Sequence, residues 1–524
     1  MRAITPLHPT LRKYTRAVAL LGSAALLLSC DKSITESERQ LPPLLAASVD
    51  AAAGSWRMIV LTSPTQVAVA APAAVTSATY LSELAAIRTA QQSITPEQNA
   101  RIGFWAGGGV LRWNQILREL VARYNLPPAP RADGTYAFPD ASNPFGDPAF
   151  PFANPPYAAR AYSYVAVAQY EALKAAWAYK YQYNRLSPAK VDATIRQLMP
   201  ISELPSYPSE DAVLAGVTVA MLQALFPAAV ENVTRRAAEQ REAAFLSGKA
   251  SSSDLAAGLA LGRAVAALVL ARMSTDGTAN AIGTPAQWAS LASAATARGE
   301  IPWISRESPE RPPMLPNFGA VQMWSVSSAE LVNARPQAPP STSSTLMRQE
   351  TAEVRQTTEN LTREQRAIAQ KWNDGAGTYT PPGHWNDIAA DHIRDANMSE
   401  VRAARTFALL NMAMHDASVA CWEAKYLYFN PRPSQLDPAI RTDIGLPNFP
   451  AYPSGHSTFS AAAATVLSYV FPGASAEFVR DADEAGMSRL YGGIHFRSDI
   501  VEGKAHGVRI GTFTVRSAQA DRAQ

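Results

Sequence analysis

The sequence predicts an all-α protein made of two pseudo-duplicated helical bundles, with the active site in the C-terminal one. Three observations carry this. Alanine-rich stretches at 158–180, 208–225, 254–273, 400–424, 457–470 and 475–490 repeat apolar residues at i, i+3, i+4 spacing, while strand-like alternation is scarce. The chain also resembles itself at a constant offset of 245 residues. Finally, apart from His8, all six histidines lie between 384 and 506, so one half is chemically richer than the other.

Taken in order, residues 1–29 read as a lipoprotein signal peptide. Arg2, Arg12, Lys13 and Arg16 precede an apolar run from Ala17 to Leu28 that is too short for an ordinary membrane span. The run ends Leu27-Leu28-Ser29-Cys30, which looks like a bacterial lipobox with Cys30 as the lipidated residue; ordinary cleavage nearby is the alternative. An exported, envelope-anchored protein is expected, attached to the membrane through that lipid only. Residues 30–75 form a tether and N-terminal segment. Residues 76–273 form the N-terminal bundle, with a helix start at Thr95-Pro96-Glu97 and an irregular stretch at Pro127–Pro156. Residues 274–345 are a Pro-rich connector, with eight prolines from Pro302 to Pro340. Residues 346–518 form the catalytic bundle, with helix starts at Thr362-x2-Gln365 and Ser399-Glu400.

Charge narrows the partners. The chain has 47 basic and 44 acidic residues, and the four basic residues of the signal leave 43 against 44. That balance offers no basic surface for nucleic acid. With Cys30 lipidated, Cys421 has no disulfide partner and is expected in a helix core.

The repeat aligns Trp177-x2-Lys180-Tyr181 with Trp422-x2-Lys425-Tyr426, Tyr207-Pro208-Ser209 with Tyr452-Pro453-Ser454, and Ser253-Asp254, Gly258 and Gly262 with Ser498-Asp499, Gly503 and Gly507. The first copy has lost its chemistry. Glu210 and Asp211 stand opposite Gly455 and His456, Ala244 opposite Arg489 and Ala250 opposite His495. Two acids at a helix start repel an oxyanion, so the N-terminal half is expected to be structural.

Three strings in the second copy specify a site for a tetrahedral oxyanion: Lys425-x6-Arg432-Pro433, Pro453-Ser454-Gly455-His456 and Ser488-Arg489-x5-His495-x3-Asp499. Lys425, Arg432 and Arg489 supply positive charge, and the arginines present planar forks. Ser454 and the amides of Gly455 and His456 supply donors at a helix start, where unpaired N–H groups attract anions. His456 and His495 remain for bond formation and acid–base work near neutral pH.

These strings resemble the signature of the type 2 phosphatidic acid phosphatase and vanadium haloperoxidase superfamily over roughly the last 120 residues. The resemblance implies that His495 attacks phosphorus or ligates vanadium axially, and that His456 is the acid–base. Asp499 orients His495 or serves the helix N-terminus; its counterpart Asp254 persists without a histidine, so both roles stay open. Ser454, whose counterpart Ser209 also persists, is expected to cap its helix as well. One acid among Asp387 and Asp391, near His384 and His392, is a candidate to support His456. His415-Asp416 and His506 are expected in the interior, not as ligands.

Two enzymatic readings follow, and one without turnover. The first is a haloperoxidase in which vanadate is the cofactor and hydrogen peroxide and halide are the substrates. Trp422-Glu423-x-Lys425, the string from Phe449 to His456 and the two-bundle length resemble that branch. Phe449 and Trp422 are the candidate halide-pocket residues. The second is an acid phosphatase acting on a phosphoester through a phosphohistidine, without a cofactor, to which the short 31-residue interval from His456 to Ser488 is suited. The third is an envelope lipoprotein that binds an oxyanion or a partner without turnover.

Overall fold

The computed structural model describes residues 41–126, 130–136 and 154–523. Cys30, the signal segment and most of Pro127–Pro156 lie outside the described residues. Among the described residues there is no strand, only an isolated bridge between Pro130 and Tyr136.

The N-terminal half comprises α1 (Ala78–Ala90), α2 (Pro96–Ala106), α3 (Gly109–Tyr124), α4 (Pro155–Tyr183), α5 (Glu210–Leu225), α6 (Val230–Leu246) and α7 (Ser252–Met273). The connector is less irregular than its prolines suggest. Capping boxes at Thr284/Gln287 and Ser327/Glu330 start α8 (Pro285–Ala297) and α9 (Ser328–Ala334). The C-terminal half comprises α10 (Thr345–Glu359), α11 (Arg363–Lys371), α12 (Thr380–Asp395), α13 (Glu400–Tyr428), α14 (Gly455–Val470), α15 (Ser475–Tyr491) and α16 (Arg497–Gln519). The expected starts at Thr95, Thr362 and Ser399 are all N-caps, the first two with full capping boxes.

The repeat is a repeat of geometry. Helices α4, α5 and α6 map onto α13, α14 and α15 at an offset of 245 residues at both ends. The left-handed residues that stop the long helices, Asn184 and Phe429, correspond, and so do the cis bonds Tyr207-Pro208 and Tyr452-Pro453. Upstream the offset becomes 267: the N-caps Ser77 and Thr95 match Ser344 and Thr362. The N-terminal half therefore carries 22 more residues from the start of α2 to the start of α4 than its counterpart does from the start of α11 to the start of α13.

Residues Pro42–Gln524 pack as one compact unit. The reason lies in α4 and α13, which pack against each other and are buried around nearly their whole circumference. Their matched tryptophans, Trp177 and Trp422, are both buried, each worth on the order of 2–3 kcal/mol of apolar burial. Matched acids on the same helices fasten incoming chain. Glu171 accepts from the amides of Ile59, Val60 and Leu61, and Asp416 from those of Trp324 and Ser325. His415 and Cys421 are fully buried beside them, as the sequence implied.

Candidate active site

Four segments of the C-terminal half deliver the site. Helix α13 ends at Tyr428, and Phe429 turns the chain into the left-handed region so that Arg432 returns under the helix. The loop through Phe449 to Pro453 leads to Ser454, which caps α14 by accepting from Ser457 N. Helix α15 ends at Tyr491, and Gly493 at φ 74° redirects the chain so that His495 comes back. Helix α16 then starts with Asp499 in its first turn. Gly503 and Gly507 let α16 ride close on α14; a Cβ on Gly507 would collide with Thr458 O. That approach lets Ser454 N donate to Asp499 O at 2.9 Å, tying two of the strings together.

His495 is the best-defined group. It is 2 % exposed, and its Nδ1 lies 2.9 Å from Asp499 Oδ2, which also accepts from Phe496 N at 3.0 Å. Asp499 thus both orients the histidine and caps the helix, whereas Asp254 caps by accepting from Ser251 N and faces Arg185 at 3.6 Å in place of a histidine. Arg432 Nη1 donates to His495 Nε2 at 3.0 Å, so the Nε2 lone pair faces the guanidinium and the proton sits on Nδ1. The rest of the Arg432 guanidinium donates to Phe449 O and Ile494 O.

Lys425 is placed differently from a simple anion ligand. All three of its protons are matched by carbonyls, Pro450 O and Ala451 O at 2.8 Å and Pro453 O at 2.6 Å. Its counterpart Lys180 likewise donates to Pro205 O. Lys425 fastens the loop and projects charge from behind it. Ser454, also fully buried, sits in the same rear layer.

The electrostatics are those of a site short of negative charge. Burial, reinforced by the Arg432 charge, pulls the Lys425 ammonium down. Burial brings Arg432 to about 9 and Arg489 to about 10. His495 is held well below its ordinary value, by burial and then by the three cations. Asp499, which burial pushes up, is the acid in direct contact with this cluster.

His456, at the N-terminus of α14, is brought by burial and the Arg489 charge down to about 4. Its Nε2 faces Asp374 Oδ2 at 3.7 Å. Burial alone would raise the Asp374 carboxyl, but His384 and His456 hold it at about 2. His384 lies 3.1 Å from Asp374 and stacks on Trp372 at 4.3 Å between centroids. The acid beside His456 is therefore Asp374, which sequence reasoning missed, and not Asp387 or Asp391. Those two are tied to Arg118 and Arg394 on the outside of α12. Asp374 follows α11 in the left-handed region, and the Asp374-Gly375 turn was its one local sign. His392 packs on Phe478, and His506 is fully buried.

Gly455, His456, Arg489, His495, Trp422 and Phe449 line a cavity of about 480 Å³; Lys425, Arg432, Ser454 and Asp499 stand behind its wall. In the other half, the matched place is a smaller cavity of about 200 Å³ whose acids are neutralised by the protein's own lysines. Glu210 takes Lys180 at 2.7 Å and Lys249 at 2.8 Å, and Asp211 takes Lys249 at 2.7 Å. Lys249, which sequence reasoning overlooked, is what makes two acids tolerable there. Where the degenerate half holds a carboxylate, the other has Gly455, whose added Cβ would meet nothing closer than 3.8 Å.

Comparison with known families bears on this segment directly: residues 405–523 match the PAP2 superfamily. This part of the chain is a PAP2-superfamily domain. No curated protein matches the chain. Among solved structures, the first bacterial vanadium-dependent iodoperoxidase is similar at 22% identity, over 78% of this chain and 96% of its own, with a TM-score of 0.55. A holo-type bacterial vanadium-dependent chloroperoxidase is similar at 13% identity, over 74% of this chain and 97% of its own, with a TM-score of 0.50. Both extend the likeness of fold from the PAP2 domain to most of the chain. The PAP2-domain residues suit a tetrahedral oxyanion, vanadate included: buried cations lack a full counter-charge, and an oriented imidazole lone pair faces them.

Proposed function

We propose that the protein is a vanadate-dependent haloperoxidase, oxidising halide with hydrogen peroxide. The observation that carries the oxyanion site is the contrast between the halves: the same framework holds Glu210 and Asp211 in one and open space before Gly455 and His456 in the other. His495 Nε2 would meet the central atom, with Asp499 holding Nδ1–H. Arg432 would leave Nε2 for the anion's oxygens, joined by Arg489 and the amides of Gly455 and His456. Bound vanadate would supply Lewis-acid activation of hydrogen peroxide. His456 would deliver the proton, its basicity restored when an anion offsets the Arg489 charge, with Asp374 steadying the imidazolium. Trp422 and Phe449, 4.9 Å apart, would wall the halide position.

A phosphatase uses the same residues, with His495 as nucleophile and no cofactor, and the orientation of His495 by Asp499 suits it equally. A paired assay on purified protein separates the two: halide oxidation with vanadate and peroxide using chloride, bromide and iodide, and phosphoester hydrolysis without vanadate. Hydrolysis alone establishes the phosphatase, and loss of both leaves oxyanion binding without turnover. His495→Ala is expected to abolish either activity, and His456→Ala to reduce turnover far more than oxyanion affinity. We also propose lipidation at Cys30, which Cys30→Ala tests: the variant should leave the membrane fraction.

A further inference from the structure

The 480 Å³ cavity is far larger than an oxyanion requires and falls in the range of pockets that take whole organic ligands. Its deep end is the cationic site. Its remaining walls are mainly apolar and aromatic: Trp422, Phe449 and Phe459 from the catalytic half, Met314 from the connector, and Leu126 from the N-terminal half. The charged pair in the wall, Glu307 and Arg311, is internally neutral, at 2.6 Å. One polar side chain there stands out. Asn154 is 2 % exposed and lines the cavity; its Oδ1 caps α4 by accepting from Tyr157 N at 2.9 Å. Its Nδ2 finds no partner among the described residues. A buried amide donor without an acceptor is costly to keep, and a ligand oxygen there would remove the cost.

We propose that the cavity seats the organic part of the substrate, a compact uncharged aromatic group bearing one acceptor oxygen, and that Asn154 reads that oxygen. The half without chemistry thereby contributes specificity, through a residue at the start of its longest helix. The inference deepens the proposed function, since it names what is presented to the cationic end. It does not depend on whether the anion there is vanadate or phosphate.

The test uses the full chain and two separate ligands. Acetophenone, an uncharged aromatic ketone, reports on the cavity; orthophosphate reports on the cationic end. Calorimetry is expected to show acetophenone binding wild type and binding Asn154→Asp about tenfold more weakly, since that variant keeps the capping oxygen and loses the donor. Orthophosphate affinity should be the same in both. Ethylbenzene, which lacks the oxygen, should bind more weakly than acetophenone to wild type and equally to both proteins. If Asn154→Asp does not fold, the wild-type preference for acetophenone over ethylbenzene decides alone. Failure of acetophenone to bind, or equal binding of the two aromatics to wild type, overturns the proposal. Failure of orthophosphate alone counts against the oxyanion reading and leaves this one standing.

Discussion

Lys425 has three ammonium protons and three carbonyls within 2.8 Å to receive them. Lys425→Met would strand Pro450 O, Ala451 O and Pro453 O in the interior, each worth about 1–3 kcal/mol if left unsatisfied. Relief of a buried charge offsets part of this, so a net loss of about 2–4 kcal/mol is expected in denaturant unfolding. An unchanged midpoint would mean that the lysine acts only on ligand. Asp374 is testable through its neighbour. It raises the basicity of His456, so Asp374→Asn should lower that pKa further. A proton donor must be protonated, and the limb on which turnover rises with falling pH should therefore move to more acidic pH. At neutral pH turnover should drop about tenfold or more, with oxyanion affinity nearly unchanged. A pH–rate profile checks it; a limb that stays in place removes Asp374 from this role.

Between elements, the contact that matters most to the site is α14 against α16. Gly507→Ala should push the helices apart, costing about 1–3 kcal/mol and lowering turnover, because Ser454 and Asp499 are joined across that contact. Gly262→Ala, at the matched contact of α5 and α7, should cost similar stability in thermal unfolding and spare turnover. Equal loss of turnover in both would show that the site does not depend on its own helix pair. This level was largely readable from sequence, since the 245-residue offset and the caps at Thr95, Thr362 and Ser399 are local signals. Asp374 was not, because a lone acid in a turn has no periodicity or motif to mark it. Lys249 was hidden because its partners, Glu210 and Asp211, lie nearly 40 residues before it and meet it only in the fold. The helices α8 and α9 were masked by surrounding prolines, although their capping boxes were on view.

Across the whole molecule, buried neutral histidines set the response to acid. Burial brings His415 to about 4 and His506, beside the Arg509 charge, to about 3, while unfolded histidine titrates near 6.5. Below that value these two histidines bind more protons in the unfolded chain than in the folded one, so their contribution to stability is full above about pH 6.5 and declines as pH falls toward 3–4. His506 lies opposite Leu261 in the repeat, a buried leucine, so His506→Leu should fit and flatten this decline. Melting temperatures at pH 8 and pH 5 check it: the variant should gain more at pH 5, and an equal gain at both would assign the acid response elsewhere. The halves are bound together by more than stability. Asn125, at the end of α3, donates to Gly375 O at 2.7 Å and Thr378 O at 3.0 Å, clasping the turn that holds Asp374. α4 covers a face of α13 that would otherwise be bare. Cutting the chain at the connector would therefore strip one flank of α13 to solvent and free the Asp374 turn from its clasp, so neither half is a self-sufficient module.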